Sequence, residues 1–111
     1  FQIDREGLTR LDSIYKILSL EHNKTKKIKI ANASYLPYYR IKDVLSERNQ
    51  TRIEFVGQEY HLADYIYDNY VYEVDPRYND KYNIPSNFKK VFELEINGVK
   101  MYKIYRRKNI N

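Results

Sequence analysis

Cysteine is absent from the 111 residues of this chain. The absence removes disulfides, thiolate catalysis and cysteine-ligated zinc together, and it leaves the compartment open, since a cysteine-free domain survives in the cytosol and outside it alike. Glycine is nearly as scarce. With only Gly7, Gly57 and Gly98, no glycine-rich loop can wrap a phosphate, which excludes P-loop and dinucleotide binding. The two histidines, His22 and His61, stand far apart with no carboxylate at metal-ligand spacing, so they read as surface residues and no metal site is expected. Long apolar runs are missing too. The longest uncharged stretch, IANASYLPYY, is short and polar-spotted against the roughly 20 apolar residues that cross a bilayer. The opening FQIDREGLTR has no initiator methionine, apolar core or small-residue cleavage site; it is not a signal peptide, and the expectation is a fragment of something longer.

What is present describes one folded domain. The length is near the commonest domain size, and 42% hydrophobic against 32% charged residues is a globular balance that argues against disorder. The net charge of +5 raises the question of a polyanionic partner, nucleic acid or a lipid headgroup surface. However, Lys and Arg are scattered from Arg5 to Lys108 among acids, and only KTKKIK (24–29) and YRRK (105–108) are compact, so a solvated basic surface is the simpler reading.

Along the chain, Leu8, Leu11, Ile14 or Tyr15, and Leu18 recur at spacings of three and four, the stripe of an amphipathic helix ending near Asn23. KKIKIANAS alternates and then loses charge, a first strand. After the loop Asn-Ala-Ser comes a helix with Pro37 in its first turn and Tyr38, Ile41 and Leu45 on one face. TRIEFVG gives a second strand with Ile53 and Phe55 against Arg52 and Glu54. ADYIYDNYVYEV gives a third, with Tyr65 and Tyr67 on one side and Ile66 on the other. The stretch 75–87, rich in Asp, Asn and Pro, reads as a loop. FELEINGVKMYKIYRR (92–107) then places Phe92, Leu94 and Ile96 before Asn97-Gly98 and Val99, Met101 or Tyr102, and Ile104 after it. Asn-Gly supplies the positive φ angles of a hairpin turn. The expected fold is a single α/β domain over 1–111: a small mixed sheet of about five strands with two helices, ending in an antiparallel C-terminal hairpin.

No complete catalytic motif occurs, so no catalytic residue is assigned and no cofactor or metal is expected. Ser34 follows a strand, where α/β enzymes often place chemistry, but no flanking glycine allows a nucleophile elbow, and a helix-capping serine is the simpler reading. Asp64, Asp68, Asp75 and Asp80 could pair as acid and base, although Asp68 and Asp75 read as turn and loop residues. If the first and third strands are parallel neighbours, Asn32, Ser34, Tyr35, Asp68 and Asn69 gather beyond their carboxyl ends. They are therefore the candidate ligand or acceptor contacts, with helix and turn capping as the plain alternative. The 13 tyrosines are the strongest bias. They could stack on bases or sugars or sit at a membrane interface, or simply fill a half-buried sheet; no RNA-recognition signature accompanies them. Asn23, Asn32 and Asn49 head Asn-x-Ser/Thr tripeptides, and EHNKT and ERNQT carry the acid of the extended bacterial acceptor. Asn23 and Asn49 are thus candidate N-glycan sites and a vote for an extracytoplasmic location.

The order of these pieces adds a resemblance. The opening helix, KIKIANASYLPYYRIKDVL, the second strand, ADYIYDN and the closing IPSNFKKVFELEINGVKMYKIYRR look like the soluble tail of polytopic membrane glycosyltransferases. These use polyprenyl-phosphate sugars and include relatives of the dolichyl-phosphate-mannose protein mannosyltransferases. The resemblance spans roughly 10–107 and is carried best by ADYIYDN and the hairpin. It implies a non-catalytic, periplasmic domain that caps the extracytoplasmic face of the parent enzyme. Its partners would be the transmembrane portion, an acceptor protein or glycan, a lipid-linked sugar and anionic headgroups. The family's catalytic acids lie between transmembrane helices, so none carries over to this chain. An independent module for nucleic acid or another polyanion is the alternative reading, and a small enzyme using 75–87 with Asn32, Ser34 and Asp68 is a third.

Overall fold

The first helix outruns its apolar stripe. In the computed structural model, which describes residues 2–22, 25–34, 41, 45–70 and 76–108, α1 spans Gln2–Leu20. Ile14, Ile17 and Leu18 bury its inner face, and Leu11 and Leu20 flank them. Three short strands follow: β1 (Ile28–Asn32), β2 (Ile53–Phe55) and β3 (Tyr65–Asp68), with helix α2 (Glu47–Arg52) between the first two. The hairpin supplies β4 (Phe88–Ile96) and β5 (Val99–Arg107).

The five strands form one mixed sheet in the order β2-β1-β3-β5-β4. β1 is parallel to both β2 and β3, β5 is antiparallel to β3, and β4 and β5 pair antiparallel through the turn. The protein is therefore α/β, with a mixed sheet closed on one side by an antiparallel hairpin. Asn97 and Gly98 take φ values of 52° and 79°, as the Asn-Gly turn requires.

The sheet buries both faces. On one, α1 packs against Ile28, Ile30, Ile53, Tyr65, Tyr67, Tyr102 and Ile104. Tyr65 and Tyr67 turn to this side, as the alternation in ADYIYDN requires, while Ile66 joins Ala31, Ala33, Val56, Ala63 and Phe88 on the other. Tyr60 and Ile84 pack against that second cluster. Arg107 fastens the segment down: its Nε donates to the Ala63 carbonyl at 2.8 Å and its Nη2 to those of Tyr60 and His61 at 3.2 and 2.8 Å.

The hairpin holds its register through two irregularities, between Lys90 and Phe92 and between Leu94 and Glu95. In each, one strand carries an extra residue, Val91 on β4 and Met101 on β5. Both members of Val91-Phe92 and of Met101-Tyr102 thereby pack against the helix-side core. This resolves the choice between Met101 and Tyr102: both face α1.

Four expectations shift. α2 lies at 47–52 rather than through Leu45, because Ser46 adopts an extended conformation (φ −60°, ψ 155°) and its side chain accepts from the Asn49 N–H as an N-cap. Leu45 and Ile41 still join the helix-side core. Asn32 belongs to β1 rather than to a loop, since its N–H donates to the Gly57 carbonyl at 2.8 Å. The 75–87 stretch contains a 3-10 helix, Pro76–Tyr82, with Pro at a helix start where no donor is needed. The hairpin begins at Phe88, because the bulge at Val91 hides the alternation upstream of Phe92. Residues 35–40, 42–44 and 71–75, with the rest of the expected second helix and third strand, lie outside the described residues.

Candidate functional site at the strand carboxyl ends

The site follows from the crossing pattern. The link from β1 to β2 brings Ile41 and Leu45 to the helix side, whereas the chain after β3 brings Ile84 and Phe88 to the other side. β1 and β3 are parallel neighbours, and the carboxyl ends of such strands are the usual ligand position in α/β sheets.

The structure brings four of the five sequence-derived contacts to this place. Asn32 and Tyr67 are register partners, so Ser34 and Asn69 meet just beyond the strand ends. Ser34 Oγ donates to Asn69 Oδ1 at 2.5 Å, and the Asn32 side-chain amide donates to the Ser34 carbonyl at 3.4 Å. Ser34, Asp68 and Asn69 are buried. Tyr35 lies outside the described residues. Ser34 gives its proton to an amide oxygen, which has no useful basicity, so the bond is one of positioning rather than nucleophile activation. It orients the Ser34 and Asn69 side chains against each other at the strand ends.

Asp68 is the electrostatic centre. Its side chain is only 2% exposed. One oxygen accepts from the Tyr70 N–H at 2.9 Å, and the other lies 3.8 Å from Lys103 Nζ. The turn drives Tyr70 into the left-handed region at φ 67°, and its hydroxyl donates to Glu93 on β4. Lys103 Nζ sits 4.8 Å from the Tyr70 ring centre and 5.4 Å from that of Tyr105. Burial, the Glu93 hydrogen bond and the nearby carboxylates hold the Tyr70 phenol well above its usual ionisation range. The same bond, with that from Lys90, holds Glu93 below the ordinary carboxylate range.

Tyr70, Glu93, Lys103 and Tyr105 are thus the contacts that sequence reasoning missed. The one available signal was alternation: Lys103 and Tyr105 are two apart on one strand and must share a face.

The hairpin extends past the end of β3. Lys103 pairs with Asp68 at the end of β3, so Val99–Tyr102 run beyond it, by about 13 Å at the usual strand rise. The exposed Ile96 and Val99 form the tip.

Other candidates are dispersed. Asn49 is a half-buried residue in α2, and Asn23 lies outside the described residues. Asp64 is at the opposite sheet end beside Lys29 and Lys26, and Asp80 is in the 3-10 helix. Asp75 lies outside the described residues. Among the described residues no group of His, Asp and Glu could hold a metal, and no helix is long and apolar enough to cross a membrane. The chain matches no protein-family model, no curated protein and no solved structure.

Proposed function

We propose that this chain is a non-catalytic accessory domain of a polyprenyl-phosphate-sugar-dependent membrane glycosyltransferase. It caps the extracytoplasmic, periplasmic face and offers the carboxyl ends of β1 and β3 to an acceptor or a donor glycan. One observation carries the reading. The two stretches that best support the glycosyltransferase resemblance, ADYIYDN and the hairpin, are adjacent in the sheet, and together they supply Asp68, Asn69, Glu93, Lys103 and Tyr105. The stretches that carry the resemblance thus also supply the side chains at the proposed contact face.

The polyanion alternative draws less support. Lys26, Lys27, Lys90, Lys100 and Lys103 each lie within 4.0 Å of a carboxylate, so these five of the 20 basic residues are locally balanced by acids. Tyr65, Tyr67, Tyr82 and Tyr102 are buried, which removes them from contact with stacked bases or headgroups.

The test is to read the open reading frame that encodes this chain. Several apolar spans of about 20 residues upstream, with acidic residues in the first extracytoplasmic loop, are the expected result. A frame without such spans overturns the proposal and leaves the polyanion module, whose binding by this chain would weaken steeply with salt.

A further inference from the structure

We infer that the end of the sheet opposite the candidate site docks on an anionic lipid bilayer, with Leu62 entering the headgroup layer. The charge of the chain is unevenly placed. Residues 1–87 hold 13 basic and 13 acidic side chains, so the whole net charge of +5 lies in 88–111, where seven basic residues meet two acids. Those acids, Glu93 and Glu95, stand with Lys100 and Lys103 towards the hairpin turn. Lys89, Lys90, Arg106, Arg107 and Lys108 fill the open end, with Lys89 opposite Arg106 and Phe88 opposite Arg107. The sheet brings a second basic stretch to the same end: the Arg107 N–H donates to the Asp64 carbonyl at 2.9 Å and the Asp64 N–H to that of Lys29 at 2.8 Å, so Lys26, Lys27 and Lys29 lie along the same rim. Three acids temper it. Asp64 and Glu54 lie 3.8 Å from Lys26 and Lys27, and Glu21 is buried. Lys89 and Lys108 are exposed, and among the described residues no carboxylate lies within 4.0 Å of either.

An apolar side chain stands among these cations. Leu62 is 42% exposed, and Arg107 grips the carbonyls on both sides of it, those of His61 and Ala63, at 2.8 Å each. The leucine is thus held out to solvent before any partner arrives. An apolar residue ringed by lysine and arginine fits a bilayer surface, where the cations meet headgroup phosphates and the apolar group enters the layer beneath. Nucleic acid fits less well. The rings at this end are already engaged, since Tyr65 is fully buried and Phe88, also buried, lies 5.0 Å from the Arg107 guanidinium, which leaves no platform for bases. The inference rests on the proposed function for one thing, the choice of a bilayer among polyanions. It deepens that reading by turning the strand amino ends towards the membrane and the candidate site away from it.

The experiment is co-sedimentation of the chain with vesicles of phosphatidylcholine alone, with vesicles containing phosphatidylglycerol, and, separately, titration with a DNA duplex. Binding to the anionic vesicles alone is expected at about 0.1 M salt, where the Debye length is about 10 Å, with release as salt rises. Lys89→Gln and Lys108→Gln should each weaken it about fivefold, and Leu62→Ser a few-fold in a way that salt does not change. All three positions are exposed, so the variants should fold as the parent does. Lys100→Gln, roughly 20 Å along β5 from Arg106, should bind as the parent does. No binding to anionic vesicles overturns the inference, as do Lys89 and Lys108 variants that bind unchanged, or a duplex bound more tightly than the vesicles at the same salt. The outcome is separable from the glycosyltransferase reading, which stands or falls on the upstream apolar spans.

Discussion

Tyr102 joins the two layers of the protein, and removing its hydroxyl isolates one bond. The residue is fully buried, and its ring centre lies 5.7 Å from that of Tyr67 and 5.9 Å from that of Phe92. Its hydroxyl donates to Asp12 Oδ2 on α1 at 2.5 Å, a contact between residues 90 positions apart. Tyr102→Phe keeps the ring and removes this bond. A hydrogen bond to a charged partner is worth about 1.5–3 kcal/mol. Asp12 is exposed, however, so its carboxylate regains water in the variant rather than being stranded. The expected cost is therefore about 1–2 kcal/mol, at the lower end. Tyr102→Ala also opens a cavity among Tyr67, Phe92 and Ile104, and should cost about 3–5 kcal/mol.

Urea unfolding followed by far-UV circular dichroism reads both variants, with an unchanged slope showing that only stability has moved. For Tyr102→Phe the thermal midpoint should fall by roughly 4–8 °C per kcal/mol. A double-mutant cycle with Asp12→Asn should return a coupling of about 1 kcal/mol. Two results refute the reasoning: a neutral Tyr102→Phe, or a Tyr102→Phe that costs as much as Tyr102→Ala. The first denies the bond between the layers, and the second denies that the ring's packing carries most of the energy.

Alkaline pH should unfold the chain through its tyrosines. Burial, with the charge of Asp68 second, pushes the Tyr60 phenol from 10.0 up to about 12. Its contribution is complete below pH 10, where both states are protonated, and is lost as pH rises towards 12 because the unfolded chain ionises first; late phenolate absorbance coincident with unfolding is the expected reading. On the acid side, Glu93 is depressed from 4.5, first by the Tyr70 hydroxyl and then by Lys90. Its contribution is present above pH 4.5 and fades as pH falls further, so Tyr70→Phe should flatten the acid limb of a stability–pH curve. Gly98→Ala meets no atom within 4 Å but must keep φ at 79°, so it should cost about 1–2 kcal/mol of backbone strain in a denaturant titration. Ser34→Ala breaks the buried link to Asn69 and should cost about 1–3 kcal/mol, with the largest amide shift changes confined to the ends of β1 and β3.

The strands were legible because their chemistry is local. Ile28 and Ile30, Tyr65 and Tyr67 alternate as half-buried strands must, and Asn97-Gly98 is a turn by backbone sterics alone. The candidate contacts Asn32, Ser34, Asp68 and Asn69 were legible on one condition, that β1 and β3 are parallel neighbours, and the register meets it. The rest depends on partners distant in sequence. Val91 and Met101 break the alternation, and their common side is set by pairing across the hairpin rather than by neighbours along the chain. Tyr70 enters the site only because a left-handed turn after Asp68 carries its hydroxyl across β5 to Glu93, 23 positions away. No periodicity announces such a contact.

The length of the hairpin is the remaining question, since completing the sheet requires only Lys103–Arg106 opposite β3. The extra residues do two different jobs, divided between the two faces by the bulges. Towards α1, Val91, Phe92, Leu94, Met101 and Tyr102 extend the core beneath the helix. On the other face, Glu93 and Lys100 stand beside Lys103 and the exit of β3. Without the bulges, strict alternation would bring Met101 to the same side as Lys103 and carry Lys100 to the helix side. A deletion of Met101 removes the extra residue and leaves Leu94 opposite Tyr102 and Glu95 opposite Lys100 as consecutive pairs, so Lys100 should stay on the Glu93 side. The stability lost through the missing core side chain, about 2–5 kcal/mol, should therefore come without loss of the Lys100–Glu93 coupling read by a double-mutant cycle. A folded deletion variant in which that coupling vanished would show that the hairpin register does not set which side chains stand beside Glu93.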